Sequence, residues 1–531
     1  MKLISKIIAS ILILNSGLHA QSVKSEFEVG LKIEKDEYWW GGAVVDGSVM
    51  PYGHADFSHN QLADVKGNQS QPLLISNKGR YIWSEYPLNI VFKNDSVVVS
   101  TPFGKIDTGR EGKTLKDAFK YVSKTYFPPS GQAPDPLLFT HPQYNTWIEL
   151  QYDQNEEAIL NYAQSILDNG FPPGVLMIDD NWQTDYGVWD FSSERFKNPQ
   201  QMVEKLHAMG FKVMLWVCPF VSPDSEVYRE LASKKLLLFE DAGKTWPAIV
   251  RWWNGASAVI DLTNPEGEQW YINQLLSLQK KYGVDGFKLD AGDPEFYKNT
   301  YAYKNILPNE HTEKHAAIGL KFALNEYRAS WKMAGQPLAQ RLRDKEHTWE
   351  HLRELIPGML AQGLDGYAFT CPDMIGGGEV ESFNDASIMD EELIVRSAQC
   401  HALMPMMQFS VAPWRILSAE NLAICKNMAV LHQQFGNEIM EIAKTSAKTG
   451  EPIVRNMEYM FPNKGYENIK DQFMLGETIL VAPVVEKART SRFVHFPKGK
   501  WKGDDGSIIK GPARLKIEVP LSRLPWYRKL D

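Results

Sequence analysis

The feature that most constrains the fold is a unit that recurs through the middle of the chain. In its first copy, apolar residues recur at helical spacing from Ile159 to Leu167, the helix is predicted to end at Gly170, and an apolar run follows at once. Apolar runs without polar alternation are typical of strands that are covered on both faces by helices. The recurrence therefore predicts an α/β fold with a parallel sheet. Copies of the unit are found at 156–180, 199–220 and 266–290.

The length of this region favours a closed barrel over a doubly wound sheet, because the pattern runs to about residue 440 and has room for eight units. Outside it, short alternating runs such as "SVVVS" are typical of antiparallel strands. The 531 residues also exceed what one core normally organises. We therefore predict a (β/α)₈ barrel flanked by an N-terminal β-sandwich domain and a C-terminal β domain. The predicted parts are a signal peptide (1–20), the N-terminal β domain (21–135), the barrel (136–440) and the C-terminal β domain (441–531).

The first twenty residues have the pattern of a secretory signal. Lys2 and Lys6 precede the apolar stretch Ile7–Leu14, and Ala20 is a suitable cleavage site. The apolar stretch is too short for a transmembrane helix. We expect export to the periplasm or the medium, without a membrane anchor. The four cysteines lack metal-type spacing and are predicted to be buried free thiols.

Charge and composition narrow the ligand class. A net charge of −8 argues against nucleic acid or an anionic membrane as the main partner. Sixteen Trp and 21 Tyr provide many flat aromatic faces of the kind that suit sugar rings. Neither a phosphate-binding glycine loop nor a zinc-type cysteine motif is evident, and we predict neither cofactor nor metal. The sequence leaves the oligomeric state open.

Carboxylates follow two of the predicted strands. Asp179 and Asp180 end one, and Asp290 ends another. The active sites of such barrels lie at the carboxyl ends of the strands, so these side chains can meet at one mouth. Aspartate after a strand is also a common turn or helix-capping residue, which is the alternative. Lys288, two residues before Asp290 on the same strand face, would help keep that carboxylate ionised.

Five segments, in order, make the chain similar to glycoside hydrolase family 31, whose members are retaining α-glycosidases. "DGFKLDAGD" resembles the family's nucleophile motif, and "VLMIDDNW" its strand-end acids that bind sugar. The other segments resemble the Trp–x–Gly stretch, the acid/base segment and the β domain after the barrel. They are "RWWNGASAVIDLTNPEGEQWY", "RDKEHTWEHLRELIPGMLAQGLDGYAFTCPDMIGG" and "QFMLGETILVAPVV".

The resemblance implies which carboxylates do the chemistry. A retaining glycosidase uses one carboxylate as nucleophile and a second as acid and then base. Asp290 matches the nucleophile, and Asp344, five residues before Trp349, matches the acid/base. Asp373 is the rival for the acid, although the family usually gives its position a structural or sugar-contact role.

The same resemblance implies a set of sugar contacts. Asp179 matches an acid that binds sugar hydroxyls, with Asp180 and Trp182 beside it. Trp253 matches a stacking residue, and Arg328 matches an arginine that binds a hydroxyl and steadies the carboxylates. From its own strand, Trp216 could form the floor of the site, with core packing as the alternative. The predicted substrate-binding residues are Asp179, Asp180, Trp182, Trp216, Trp253, Lys288, Arg328, Arg341 and Asp373.

Three departures from the α-glucosidase pattern favour another sugar. Ser410 stands where the family has a histidine, Arg341 where it has a tryptophan, and 180–182 reads Asp–Asn–Trp where Ile–Asp–Tyr is common. The "IDDNW" and "KLDAGD" pair resembles the bacterial branch that acts on α-galactosides. A polar site built for one hydroxyl orientation rejects the epimer strongly. We therefore expect an α-galactosidase that acts on terminal galactosyl residues of α-galactosides.

Three other interpretations stay open. One is an α-glucosidase or another α-glycosidase of the same family, and a second is a barrel that binds carbohydrate without catalysis. The third is a metallohydrolase, since two histidine pairs have i,i+4 helical spacing. Both pairs lack the glutamate of an HExxH site and are better explained as helix surface. The pairs are His311 with His315 and His347 with His351.

Overall fold

The computed structural model describes residues 27–385 and 389–530. The predicted signal peptide, residues 1–20, lies outside the described residues.

Eight parallel strands form the central sheet, as predicted, and are labelled β1 to β8 in chain order. Around the sheet the order is β7-β6-β5-β4-β3-β2-β1-β8. A parallel bridge from Met374, just beyond β7, to Gln408 of β8 brings the two edges together. The predicted barrel is confirmed. The strands are Gln143–Asn145, Val175–Ile178, Lys212–Val217, Gly286–Leu289, Asn325–Tyr327, Gln340–Arg341, Thr370–Cys371 and Gln408–Phe409.

Local sequence explains the helix that leads into β4. Asn264 accepts a hydrogen bond from the Glu266 backbone N–H, and Pro265 occupies the first turn, where no N–H is needed. Gly283 ends the helix with φ of +78°, a conformation that glycine adopts without a Cβ penalty. The main helices of the barrel region are Glu156–Asp168, Pro199–Ala208, Glu226–Ser233, Pro265–Tyr282, Pro308–Ile318, Trp349–Leu364, Glu391–Ala402 and Ala419–Thr449.

Two four-stranded antiparallel sheets form the N-terminal region, and both contribute to the main hydrophobic core. They confirm the predicted N-terminal β domain. A helix, Leu115–Tyr126, then leads to the barrel. In sheet order, the first has Phe27–Lys32, Ser96–Thr101, Asn89–Lys93 and Phe57–Asn60, and the second has Trp39–Trp40, Leu73–Ser76, Arg80–Ser84 and Ile106–Arg110.

A six-stranded sheet forms the C-terminal β domain, with its own core around Trp501 and Tyr527. The helix Ala419–Thr449 runs through the predicted boundary at residue 440 and ends at Gly450. The exact domain edges remain predictions. In sheet order the strands are Val454–Arg455, Phe473–Leu475, Ile479–Val481, Trp526–Lys529, Ser491–Gly503 and Ile508–Glu518.

All four cysteines are buried and free, as predicted. Among the described residues, no helix has the length and apolar character needed to cross a membrane. The described part of the chain also holds no cluster of three or more His, Cys, Asp or Glu side chains suited to a metal ion.

Candidate active site

A cavity of about 590 Å³ opens at the carboxyl ends of the barrel strands. Its wall brings together most of the predicted site residues, although they come from distant parts of the sequence. The pairing of adjacent strands explains part of this convergence, because Trp216 of β3 lies directly beside Lys288 of β4. The predicted residues that line it are Asp179, Asp180, Trp216, Trp253, Lys288, Asp290, Arg328 and Asp344.

Asp290, the candidate nucleophile, is fixed on both of its carboxylate oxygens. Arg328 Nε donates to Oδ1 at 3.0 Å, and Trp216 Nε1 donates to Oδ2 at 3.1 Å. The backbone N–H of Ala291 adds a bond to Oδ1 at 2.8 Å. Arg328 in turn grips Asp293 with Nη1 and Nη2, at 3.1 and 2.7 Å. The carboxylate is therefore held in one orientation.

The charge state of Asp290 suits a nucleophile. Burial by itself would raise its pKa, but the cations Arg328, Lys288 and Arg341 hold the pKa well below the usual range. The carboxylate is thus ionised at any pH at which the protein would work. The predicted help from Lys288 is present, although Lys288 forms its ion pair with another aspartate.

That ion pair joins Lys288 to Asp179 at 2.7 Å, and both side chains are about 95% buried. Burial acts most strongly and lowers the pKa of Lys288, but the charges of Asp179, Asp290 and Glu326 together offset it and the pKa is raised. Since both residues also line the cavity, their charges form part of its inner wall.

Asp180 stands in a hydrogen-bond network beside this pair. Its Oδ2 accepts from Asn254 Nδ2 at 2.6 Å and from the Tyr186 hydroxyl at 3.1 Å. The Tyr152 hydroxyl donates to Asn254 Oδ1 at 2.7 Å. Burial, with the nearby Asp179 charge, raises the pKa of Asp180 to about 7. Asp180 can therefore accept or donate a hydrogen bond near neutral pH.

Asp344, the candidate acid/base, differs from Asp290 in exposure. Its side chain is 33% exposed, against 10% for Asp290. Arg341 Nη1 donates to Asp344 Oδ1 at 2.5 Å. The two carboxylates thus line one cavity, one buried among cations and one open to it.

The aromatic residues divide between the cavity and the core. Trp253 is half exposed and lines the cavity, where the Arg328 guanidinium lies 5.4 Å from its ring. Trp216 is buried and reaches the cavity beside Asp290, consistent with a floor. The sugar contact predicted for Trp182 is wrong, because Trp182 is fully buried and bonds the Trp216 carbonyl through Nε1 at 2.7 Å.

The physical reason for this error is the backbone at Asn181. Its φ of +70° lies in the left-handed region, so the chain leaves the extended strand conformation between Asp180 and the buried Trp182. Arg341 and Asp373 also lie away from the cavity wall, each only 1% exposed. In place of the predicted sugar contacts, Arg341 bonds both Asp344 and Asp373.

Sequence reasoning missed several residues at the rim. Asn254, which reaches the site through its hydrogen bond to Asp180, was also missed, although it stands directly after Trp253 in "WWNG". Lys66 and Gly67 come from the N-terminal domain, and nothing in the sequence connects them to the barrel mouth. The remaining lining residues are Trp147, Tyr152, Asp293, Glu295, Arg343, Gly378, Glu379, Val380 and Glu381.

The Asp179–Lys288 pair gives a prediction about stability. Asp179→Asn leaves the buried ammonium of Lys288 without its ionic partner, so the free energy of unfolding should fall by about 3–5 kcal/mol. Urea unfolding measures this. The control is Glu441→Gln, which removes an exposed ion pair with Lys444 and should cost at most about 1 kcal/mol. Equal losses in the two variants would contradict the prediction.

A closed parallel barrel whose mouth holds a cation-paired carboxylate and a second, more exposed one has the two kinds of group that glycoside hydrolysis requires. The chain belongs to glycoside hydrolase family 31. The model for the TIM-barrel domain of glycosyl hydrolases family 31 matches residues 143–428, and the model for the family's C-terminal domain matches residues 450–530.

Named relatives cover much of the chain. Myogenesis-regulating glycosidase of Mus musculus is 33% identical over 422 residues, which are 77% of this chain and 59% of the relative. Alpha-glucosidase 2 of Bacillus thermoamyloliquefaciens is 25% identical over 410 residues, 71% of this chain and 51% of the relative. The chain thus spans between about half and three-fifths of the length of these relatives.

Solved structures support the same fold. The Flavobacterium johnsoniae family 31 dextranase, solved with glucose, superposes with a TM-score of 0.82 at 20% sequence identity. The match covers 94% of this chain and 66% of the dextranase chain.

Proposed function

We propose that the protein hydrolyses the terminal α-linked residue of a glycoside or oligosaccharide with retention of configuration. The observation that carries the proposal is the pair of unlike carboxylates in one cavity. Asp290 is buried, ionised and gripped by Arg328, whereas Asp344 is partly exposed in the same cavity. The family is one of glycosidases, which supports the chemistry but leaves the substrate open.

Two steps follow from these roles. Asp290 attacks the anomeric carbon while Asp344 passes its proton to the glycosidic oxygen, and the leaving group departs with the bonding electron pair. Asp344 then takes a proton from water, whose oxygen attacks the same carbon and releases Asp290. Arg328 and Trp216 keep the Asp290 oxygens in place throughout.

An α-glucoside is the first candidate for the sugar. The names of the Bacillus relative and of the Flavobacterium dextranase support it. Two of the departures that favoured galactose also lie off the cavity wall. Ser410 is fully buried and accepts a hydrogen bond from the Ile148 backbone, and Arg341 is buried behind Asp344.

An α-galactoside is the second candidate. Asp180, the one departure that lines the cavity, carries the Asn254 and Tyr186 network at its wall. A polar wall of this kind can distinguish an axial from an equatorial hydroxyl, because the wrong epimer leaves buried polar groups unpaired.

A panel of nitrophenyl α-glycosides tests the function and the sugar together. We expect kcat/KM for the favoured sugar to exceed that of its 4-epimer at least about tenfold, the cost of one lost hydrogen bond to a charged group. Proton NMR of the first product should show the α-anomer. First appearance of the β-anomer would overturn retention. Absence of turnover on every sugar would favour the alternative that the barrel binds carbohydrate without catalysis. A faster galactoside would reverse the order of the two sugars.

Export, predicted from residues 1–20, remains a proposal. The N-terminal residue of the mature protein recovered from the cell envelope or the medium would test it, with Gln21 expected first.

A further inference from the structure

A chain of buried charged side chains lies behind Asp344, where a sugar in the cavity cannot touch it. Arg341, Glu326 and Asp373 are each 1% exposed, and none of them lines the cavity. They lie on or just after the neighbouring strands β6, β5 and β7. Buried charges are costly, and groups of them near a catalytic site are candidates for a role in it.

The contacts all converge on Arg341. Its Nη1 donates to Asp344 Oδ1 at 2.5 Å and to Asp373 Oδ1 at 2.7 Å. Its Nε lies 3.4 Å from Glu326 Oε1. Glu326 Oε2 accepts from Gln408 Nε2 at 2.7 Å, which anchors Glu326 to β8. Two carboxylates thus hold the guanidinium from the side away from the cavity.

The backbone conformation at Asp373 also indicates that this residue is held in place. Its φ is +86°, an uncommon and costly conformation for any residue other than glycine. The Lys345 backbone N–H donates to Asp373 Oδ2 at 3.0 Å, so that both carboxylate oxygens are engaged. The strained residue is therefore fixed between Arg341 and the segment that follows Asp344.

The two oxygens of Asp344 have different surroundings as a result. Oδ1 is bound by Arg341, whereas Oδ2 has no hydrogen-bond partner in the part of the chain that the structure describes. The side chain as a whole is one-third exposed. Only Oδ2 is free to meet a ligand.

We propose that Glu326 and Asp373 are positioning residues, which act through Arg341 to fix Oδ1 of Asp344 and leave Oδ2 to transfer the proton. The proposal rests on the proposed function. In the first step the Oδ2–H bond breaks and its proton goes to the glycosidic oxygen, which leaves with the electron pair of the anomeric C–O bond. In the second step Oδ2 takes a proton from the attacking water.

The experiment compares Glu326→Gln and Asp373→Asn on two glycosides of the sugar that the wild type prefers. On the methyl glycoside, whose leaving group needs protonation, kcat/KM should fall by about 10- to 100-fold. On the 2,4-dinitrophenyl glycoside, whose leaving group needs little help, it should fall by less than about threefold. The kcat and KM values of each variant are measured separately on both glycosides.

The control is Glu346→Gln, which removes an exposed carboxylate two residues after Asp344 and should change neither rate. Equal losses on both glycosides would mean that the cluster serves stability alone. If Glu326→Gln does not fold, Asp373→Asn decides. A wild type inactive on every α-glycoside would overturn the proposed function itself, whereas an active wild type with equal losses overturns this inference only.

Discussion

Asp290→Asn is expected to lower kcat by about 10⁴-fold or more on every α-glycoside that the wild type cleaves. The amide has nearly the same shape and its oxygen can still accept from Arg328, although its NH2 group cannot accept from Trp216, and it cannot form the glycosyl ester. Loss of activity with a retained fold would therefore isolate the chemical role. Steady-state rates and a thermal melt measure the two.

Azide as an external nucleophile gives a second test of the role of Asp290. In Asp290→Ala, azide can attack a dinitrophenyl α-glycoside from the face that the carboxylate has left, and the product is the β-glycosyl azide. The comparison variant is Asp293→Asn, which alters the other carboxylate that Arg328 grips. It should lose less activity and give no azide adduct. Near-wild-type activity of Asp290→Ala would show that another group is the nucleophile.

Asp344→Ala is expected to lower kcat/KM by about 10²- to 10⁴-fold on glycosides with poor leaving groups, and far less on dinitrophenyl glycosides. Departure of an alkoxide requires the proton from Asp344, whereas dinitrophenolate leaves without it. Rates for a series of leaving groups of graded acidity measure the difference. Equal losses across the series would contradict the assignment and make Asp373 the candidate acid.

Azide distinguishes this variant from the first. Asp290 remains, so the β-glycosyl enzyme still forms, and azide needs no base to attack it from the opposite face. The product is then the α-glycosyl azide. Asp290→Ala and Asp344→Ala should therefore give opposite anomers of one compound, which NMR reads directly. The same anomer from both would mean that one of the two roles is wrong.

The departures from the α-glucosidase pattern show how much sequence comparison can say about the substrate. All three positions were expected around the sugar, yet Ser410 and Arg341 are buried behind the cavity wall. Only Asp180 lines it. A residue that differs within a motif identifies a changed site only when its side chain faces the ligand, and that depends on backbone turns such as the one at Asn181.

The sequence by itself determined the barrel and the position of Asp290. The helix that ends at Gly283 and the apolar run into Asp290 are local patterns, and each fixes its element through capping, glycine conformation and side-chain periodicity. The end of a parallel barrel strand then places a carboxylate at the mouth in any barrel of this kind.

Only the tertiary structure decided which side chains surround that carboxylate. Gly67, whose carbonyl accepts from Arg328 at 3.1 Å, is 261 residues away in sequence and comes from another domain. Arg341 became a partner of Asp344 and Asp373, and Trp182 became part of the core. Such contacts depend on how separate elements pack and on which way a turn directs the next side chain. Neither of these leaves a periodic pattern in a single sequence.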